Sequence, residues 1–376
     1  MVAVQVIPES AGFYTVEFSW AENDLGQPAL DVLLRLITAT DFAHDDGDLT
    51  PYLMDLGDDG VWRLPLRMPA GLRTSYQFCP VRDEPLRGCH PDAERFEKIV
   101  TGGVVDPAHD AVIGPSTWPN HGSASVLSLP GALAQPWHAP NGAPTGDISH
   151  HELGTSSIWV YTPPGQADAK NSYALAVLFD GKVWQDIEIS PTFDNLHAAA
   201  AIPPTVVVGI EEIQGLPRNE ALTRPGVLLP FLLDELLPFL REHRPVTGDP
   251  GRTVLAGQSL GGLAAVHVGM QAPDRFGLIL TQSGSFWRAA TSPEEIDSLD
   301  LLDAYAGGDR LPLRFFQEAG SLERRLLTKN RILHGVLLDR GYPVTYREYE
   351  GGHDYACWRG GLADGLVDLL GSPPVA

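Results

Sequence analysis

"TVLAGQSLGGLAAV", residues 253–266, decides how this chain is read. A run of apolar, strand-forming residues ends in Gly257-Gln258-Ser259-Leu260-Gly261, and a small-residue stretch, "LGGLAAVHVGM", follows it. That is the order strand, sharp turn, helix, in which a serine between two glycines has its hydroxyl lifted above a sheet while the glycines relieve the crowding. Glycine is common here, 39 of 376 residues, so the five-residue match is weak alone and gains its weight from position. Ser259 is therefore expected to be a nucleophile, the bland alternative being a small packing residue at a tight turn.

A serine at its ordinary pKa is a poor nucleophile without a base in hydrogen-bond reach. In α/β-hydrolases the chain order is serine, acid, histidine, and His353 lies after the last expected strand in "YEGGHDYACW". His150, His151 and His197 precede the serine, and His267 and His334 fall within helical patterns. The third member should be a carboxylate just past a strand end, where it can orient the imidazole. "LRFFQEAGSLERR" offers Glu323, with Glu318 and Asp354 as the alternatives; a glutamate at a helix start can equally be a solvated first-turn residue. An oxyanion hole would use the N–H of Leu260 and a second N–H from "LFDGKVW", that of Gly181 or Lys182.

Outward from the serine, "YALAVLFDG", "TVVVGIE", "GLILTQSG", "LPLRFFQEAG" and "VTYREYEGG" are further strands. They alternate with amphipathic stretches such as "VLLPFLLDELLPFLREH", which Pro238 should kink, and "LERRLLTKNRILHGVLLDRG". This grammar predicts an α/β-hydrolase domain with a largely parallel sheet over residues 147–376. Residues 1–125 differ: "FYTVEFSW", "DVLLRLIT", "GVWRLPLRM" and "TSYQFCPV" are short alternating segments between Gly, Asp and Pro turns, which predicts a small all-β sandwich of immunoglobulin-like type. Between them the Pro- and Gly-dense stretch from about 113 to 147 reads as a surface linker, placed at 126–146. Two domains also suit the length, since single cores stop growing at roughly 250 to 300 residues.

Acidic residues outnumber basic ones 48 to 26, giving a formal charge of −22, which opposes nucleic acid and anionic lipid as partners. The N-terminal twenty residues lack a basic n-region and a continuous apolar core, and no apolar run approaches the roughly 18 residues that span a bilayer. Three cysteines, Cys79, Cys89 and Cys357, follow neither metal-ligand nor disulfide-framework spacing. A cytoplasmic location is expected, with no membrane association.

With these residues in view, the chain resembles the enterochelin (ferric enterobactin) esterases. The resemblance rests on "LFDGKVW", "VLAGQSLGGLAA", "PDRFGLILTQSGSFW", "LPLRFFQEAGSLE" and "EGGHDYACWRGGLADGLVDLL", and more loosely on "GVWRLPLRMPAG", "YQFCPV" and "VVDPAH". It implies a serine esterase that cuts the trilactone of a ferric catecholate siderophore inside bacteria, with Ser259 as nucleophile and His353 as base. It implies no cofactor; iron belongs to the substrate. A ferric tris-catecholate carries about three negative charges, so a strongly acidic protein must gather cations and aromatic faces at its pocket. Arg218, Trp184, Trp287, Arg288, Trp358 and Arg359 are the candidates, with Lys182 near them. Two positions depart from the family pattern: Arg288 follows Trp287 where a second tryptophan is common, and "RNEAL" from Arg218 puts Ala221 where glutamate is usual. Two other functions remain open at this stage, a carbohydrate-linked or feruloyl esterase with an appended β-domain and a non-catalytic siderophore-binding protein.

Overall fold

The computed structural model describes residues 4–9, 12–22, 27–114, 122–165 and 172–371. The chain divides into two compact units: one gathers Met1–Ala134, Gly320–Leu322 and Tyr349–Cys357, the other Gln135–Ala319, Glu323–Glu348 and Trp358–Ala376.

The first unit is built on two four-stranded antiparallel sheets. One runs in the order β1 (Gln5–Pro8), β2 (Phe13–Ala21), β5 (Val61–Pro69), β4 (Asp55–Leu56); the other is β3 (Asp31–Leu36), β6 (Arg73–Val81), β8 (Ala124–Ser128), β7 (Val112–Ile113). Inward residues of both sheets, among them Val16, Phe18, Leu34, Trp62, Tyr76, Phe78 and Leu127, form a single buried cluster, so the sheets share one core. Each such side chain contributes about 1.5–3 kcal/mol by leaving water. β8 corrects the sequence expectation: Leu127 and Leu129 are core residues, although composition places them in or beside a linker. Residues 115–121 of that stretch lie outside the described residues.

The second unit holds an eight-stranded sheet in the order β16 (Val344–Tyr349), β15 (Arg314–Gly320), β14 (Leu278–Gln282), β13 (Thr253–Gln258), β11 (Ala174–Leu178), β12 (Thr205–Glu212), β10 (Ser156–Thr162), β9 (Asp147–Leu153). From β12 through β15 the neighbours are parallel, whereas β10 and β9 add an antiparallel hairpin at one edge. β11, β13 and β14 are buried along their whole length, which is why their sequences are dominated by apolar and small residues. Chain order reverses between β11 and β13, because β12 lies on one side of β11 and β13 on the other. Such a switch point opens a crevice at the carboxyl ends of the strands, where α/β proteins place their ligands. The stretch at 227–243 is three pieces, Pro225–Pro230, a π-helical Phe231–Leu236 and Leu237–His243, with Pro238 at the start of the last.

Candidate active site

Ser259 sits between β13 and the helix Leu260–Gln271, with φ 57° and ψ −121°. That backbone is held by three hydrogen bonds: the Ser259 N–H donates to the Gln282 carbonyl at 3.0 Å, and its carbonyl accepts from the Ser285 N–H at 2.9 Å and the Leu263 N–H at 3.2 Å. The glycines have a steric reason, since a Cβ at Gly257 would lie 2.4 Å from the Gly261 carbonyl carbon. The side chain is only 7% exposed, and its Oγ lies 3.3 Å from that of Ser285. Leu260 opens the helix, where the first-turn N–H groups lack intrahelical partners and favour negative charge.

Across the switch point, β11 runs into Asp180, which adopts the left-handed conformation (φ 58°, ψ 41°), and then into the helix Gly181–Asp186. Gly181 is pressed on β12: a Cβ there would stand 2.5 Å from the Gly209 carbonyl carbon, and its own carbonyl accepts from the Trp159 indole N–H at 2.8 Å. The buried Asp180 carboxylate takes a forked pair from Arg218, Nη2 at 2.7 Å and Nε in close contact. It also accepts from Gln258 Nε2 at 2.8 Å. Positive φ at a non-glycine residue is costly and gathers at functional sites. Here Asp180, Ser259 and Ser283 adopt it just past the ends of β11, β13 and β14.

His353 falls in the first unit. Its N–H donates to Thr38 Oγ1 at 2.6 Å, and the preceding Gly352 is required by contact, because a Cβ there would be 2.7 Å from the same oxygen. Asp354 is buried and accepts from the Ser75 N–H (2.5 Å), Ser75 Oγ (2.8 Å) and the Ala356 N–H (2.8 Å). It therefore caps the helix Tyr355–Leu370 and fastens the histidine loop to β6.

Of the acids considered, Glu318 is also committed. It is fully buried within β15 and accepts from Gln282 Nε2 at 2.6 Å and Arg347 Nε at 2.7 Å. Burial raises its carboxyl, with Arg347 opposing. Glu323 is 1% exposed and stands in the turn between β15 and the helix Arg325–Asp339.

The expected ligand contacts divide. Trp184 and Trp358, 1% and 0% exposed, are interior residues, which corrects their assignment: large aromatic surface is drawn into the core, and the Trp358 indole donates to Ser283 Oγ at 3.1 Å. Arg288 braces its own loop by pairing with Glu295 at 2.7 Å, and the Lys182 ammonium pairs with Asp186 at 3.0 Å. Arg359 Nε donates to Gln135 Oε1 at 2.9 Å. Trp287 is 45% exposed, with the Arg325 guanidinium 4.9 Å from its ring centre. Sequence reasoning missed Asp180, Gln258 and Ser285; the one available signal was that Asp180 precedes a glycine at a strand end and Gln258 occupies the second position of the elbow.

A parallel sheet with a strained serine at the turn after β13 defines a carboxylic ester hydrolase of the α/β-hydrolase fold. The "Esterase" family model matches residues 154–369, and the model for "Enterochelin esterase, N-terminal" matches residues 15–138. An iron(III) enterobactin esterase of Escherichia coli O6:H1 is 33% identical, with 95% of this chain and 91% of the relative covered. The ferric enterobactin esterase from Salmonella typhimurium superimposes with a TM-score of 0.84 at 29% identity over 97% of this chain and 96% of that one. The enterobactin esterase from Shigella flexneri, solved in the presence of enterobactin, gives 0.80 at 27% over 97% and 95%. The chain belongs to the enterochelin esterase family.

Proposed function

We propose that this protein hydrolyses the ester bonds of a ferric catecholate siderophore trilactone, releasing iron for use inside the cell. The observation that carries it is the likeness to iron(III) enterobactin esterases along both parts of the chain, combined with a strained elbow serine. A feruloyl esterase reading would account for the elbow but not for the match of residues 15–138. A binding-only reading gives no role to the strain at Ser259.

In the proposed mechanism His353 takes the Ser259 proton as Oγ attacks a lactone carbonyl, and Glu323 orients the imidazole. The N–H of Leu260 and that of Gly181 or Lys182 hold the oxyanion. Protonated His353 then gives its proton to the departing alkoxide, and water activated by the same imidazole frees the acid. Acyl transfer of this kind draws on no cofactor, and iron enters with the substrate. Trp287, Arg288 and Arg359 remain the candidates for meeting the anionic catecholates, with Trp287 favoured by its exposed ring. No described helix is long and apolar enough to cross a membrane.

The test is chromatography of products from ferric and iron-free trilactones, beside a feruloyl ester, with Ser259→Ala as control. Linear trimer, dimer and monomer from the trilactones are expected, with none from the control. Turnover of the feruloyl ester alone would remove the substrate reading, and turnover surviving in Ser259→Ala would remove the mechanism.

A further inference from the structure

Asp180, Arg218 and Gln258 form a cluster that the mechanism above does not use. Its geometry is specific. Gln258 immediately precedes the nucleophile, Asp180 immediately precedes Gly181, and one carboxylate oxygen of Asp180 accepts from Gln258 at 2.8 Å and from Arg218 at 2.7 Å. The bond therefore crosses the switch point from the turn after β11 to the end of β13. These are the two segments whose N–H groups are assigned to the oxyanion.

We propose that Arg218 and Gln258 are positioning residues that lock Asp180, and through it hold the two halves of the oxyanion hole at a fixed separation; the proposal rests on the assignment of the oxyanion donors above. Three observations converge on it. Asp180 gains from fixing, because its left-handed backbone, which aspartate tolerates better than most residues with a Cβ, is still less favourable than the right-handed one. Arg218 is suited to impose it, since its planar fork grips both carboxylate oxygens and sets direction as well as distance. The charge also matters. The Asp180 carboxylate is close to the first turn of the elbow helix, with Oδ2 3.5 Å from where a Cβ on Gly261 would sit. Left uncompensated, a buried anion there would oppose the negative charge that develops on the substrate oxygen. Arg218 supplies the compensation. An arginine expected to grip the siderophore thus turns its fork inward, onto the catalytic frame.

The two roles separate on a small neutral ester, which cannot use a siderophore contact. Arg218→Met, Arg218→Lys and Gln258→Met should be assayed with p-nitrophenyl acetate and with the ferric trilactone, alongside the rate of fluorophosphonate labelling. A positioning role predicts that Arg218→Met lowers kcat by about 10- to 100-fold on both substrates, with KM changed less than about threefold. Arg218→Lys should recover only part of the loss, since an ammonium cannot fork. Gln258→Met, which leaves the Asp180–Arg218 pair intact, should lose kcat on both substrates and keep the thermal midpoint, which guards against misfolding of the arginine variants. Unchanged p-nitrophenyl acetate kinetics in Arg218→Met and Gln258→Met, with a raised KM for the siderophore alone, would overturn the proposal in favour of a ligand contact. A wild type that turns over the acetate but no trilactone would instead remove the substrate reading, and the acetate kinetics would still decide the positioning role.

Discussion

Ser285 donates its N–H to the Ser259 carbonyl at 2.9 Å and places its hydroxyl 3.3 Å from the Ser259 hydroxyl. The segment after β14 thus braces the elbow from a neighbouring strand, and Ser259 Oγ has a partner in the resting enzyme. Ser259→Ala should preserve the fold, since it removes one atom at a buried site. It should abolish fluorophosphonate labelling and lower turnover by about 10⁴-fold or more. Ser285→Ala keeps the backbone bond and deletes only the hydroxyl contact, so labelling should survive with a rate changed no more than about tenfold. A Ser285→Ala variant as inactive as Ser259→Ala would mean that the wrong hydroxyl carries the chemistry.

The elbow and the parallel strands are legible in the sequence because those strands are largely buried on both faces and each carries a core run of apolar residues. The hairpin of β9 and β10 is not. β9 reads "DISHHEL", an edge strand whose residues are exposed or half-buried, so no apolar alternation marks it. β8 is hidden for a different reason: its five residues are flanked by Pro- and Gly-rich chain, and only pairing with β6 and β7 declares them a strand. At the site, sequence order points to Ser259 and His353, but no spacing rule relates Arg218 to Asp180, which the fold joins across 38 residues. Trp184 and Trp358 show the same limit, since a tryptophan beside a motif loop can face either way.

Glu318 and Glu323 stand at the end of one strand and in the turn beyond it, and the difference between them is measurable. Gly361 packs so tightly on Glu318 that an added Cβ would lie 1.8 Å from Oε1, and Arg347 joins Glu318 to Asp364 at 2.6 Å. Removing one partner of such a buried pair costs about 3–5 kcal/mol. Glu318→Ala should therefore lower the thermal midpoint by many degrees. Glu323→Gln should leave the midpoint within a few degrees while lowering kcat by at least about tenfold, if it orients the imidazole. Calorimetry and kinetics on the two variants check this. Full activity in Glu323→Gln would leave a Ser–His dyad as the working unit.

Asp354 invites a similar test, as the remaining carboxylate near the histidine in sequence. Its three acceptor contacts hold Ser75 and cap the helix Tyr355–Leu370. Asp354→Ala would strand the buried Ser75 N–H and hydroxyl and remove the cap, an expected loss of about 2–4 kcal/mol. Denaturant unfolding of Asp354→Ala beside wild type reads this directly. A midpoint equal to that of wild type would mean that the loop does not depend on these bonds.

His267 sets a pH prediction that is independent of catalysis. Burial pushes its imidazole down to about 4, and its Nδ1 is buried without a hydrogen-bond partner among the described residues. Glu294, Glu295, Asp297 and Asp300 line the same cavity of about 480 Å³ and would favour the charged ring, yet desolvation sets the direction. The folded value lies below the unfolded one near 6.5, so on acidification the unfolded chain takes up its proton first. Stability that is complete above about pH 6.5 is therefore withdrawn as the pH falls toward 4, by about 3 kcal/mol at most. His267→Met removes the titration and fills the site with an apolar side chain. The drop in denaturant midpoint between about pH 7 and about pH 4.5 should be smaller in this variant than in wild type. Because every other titrating group is common to both proteins, equal drops would mean that His267 is as easily protonated in the native state as in the unfolded chain.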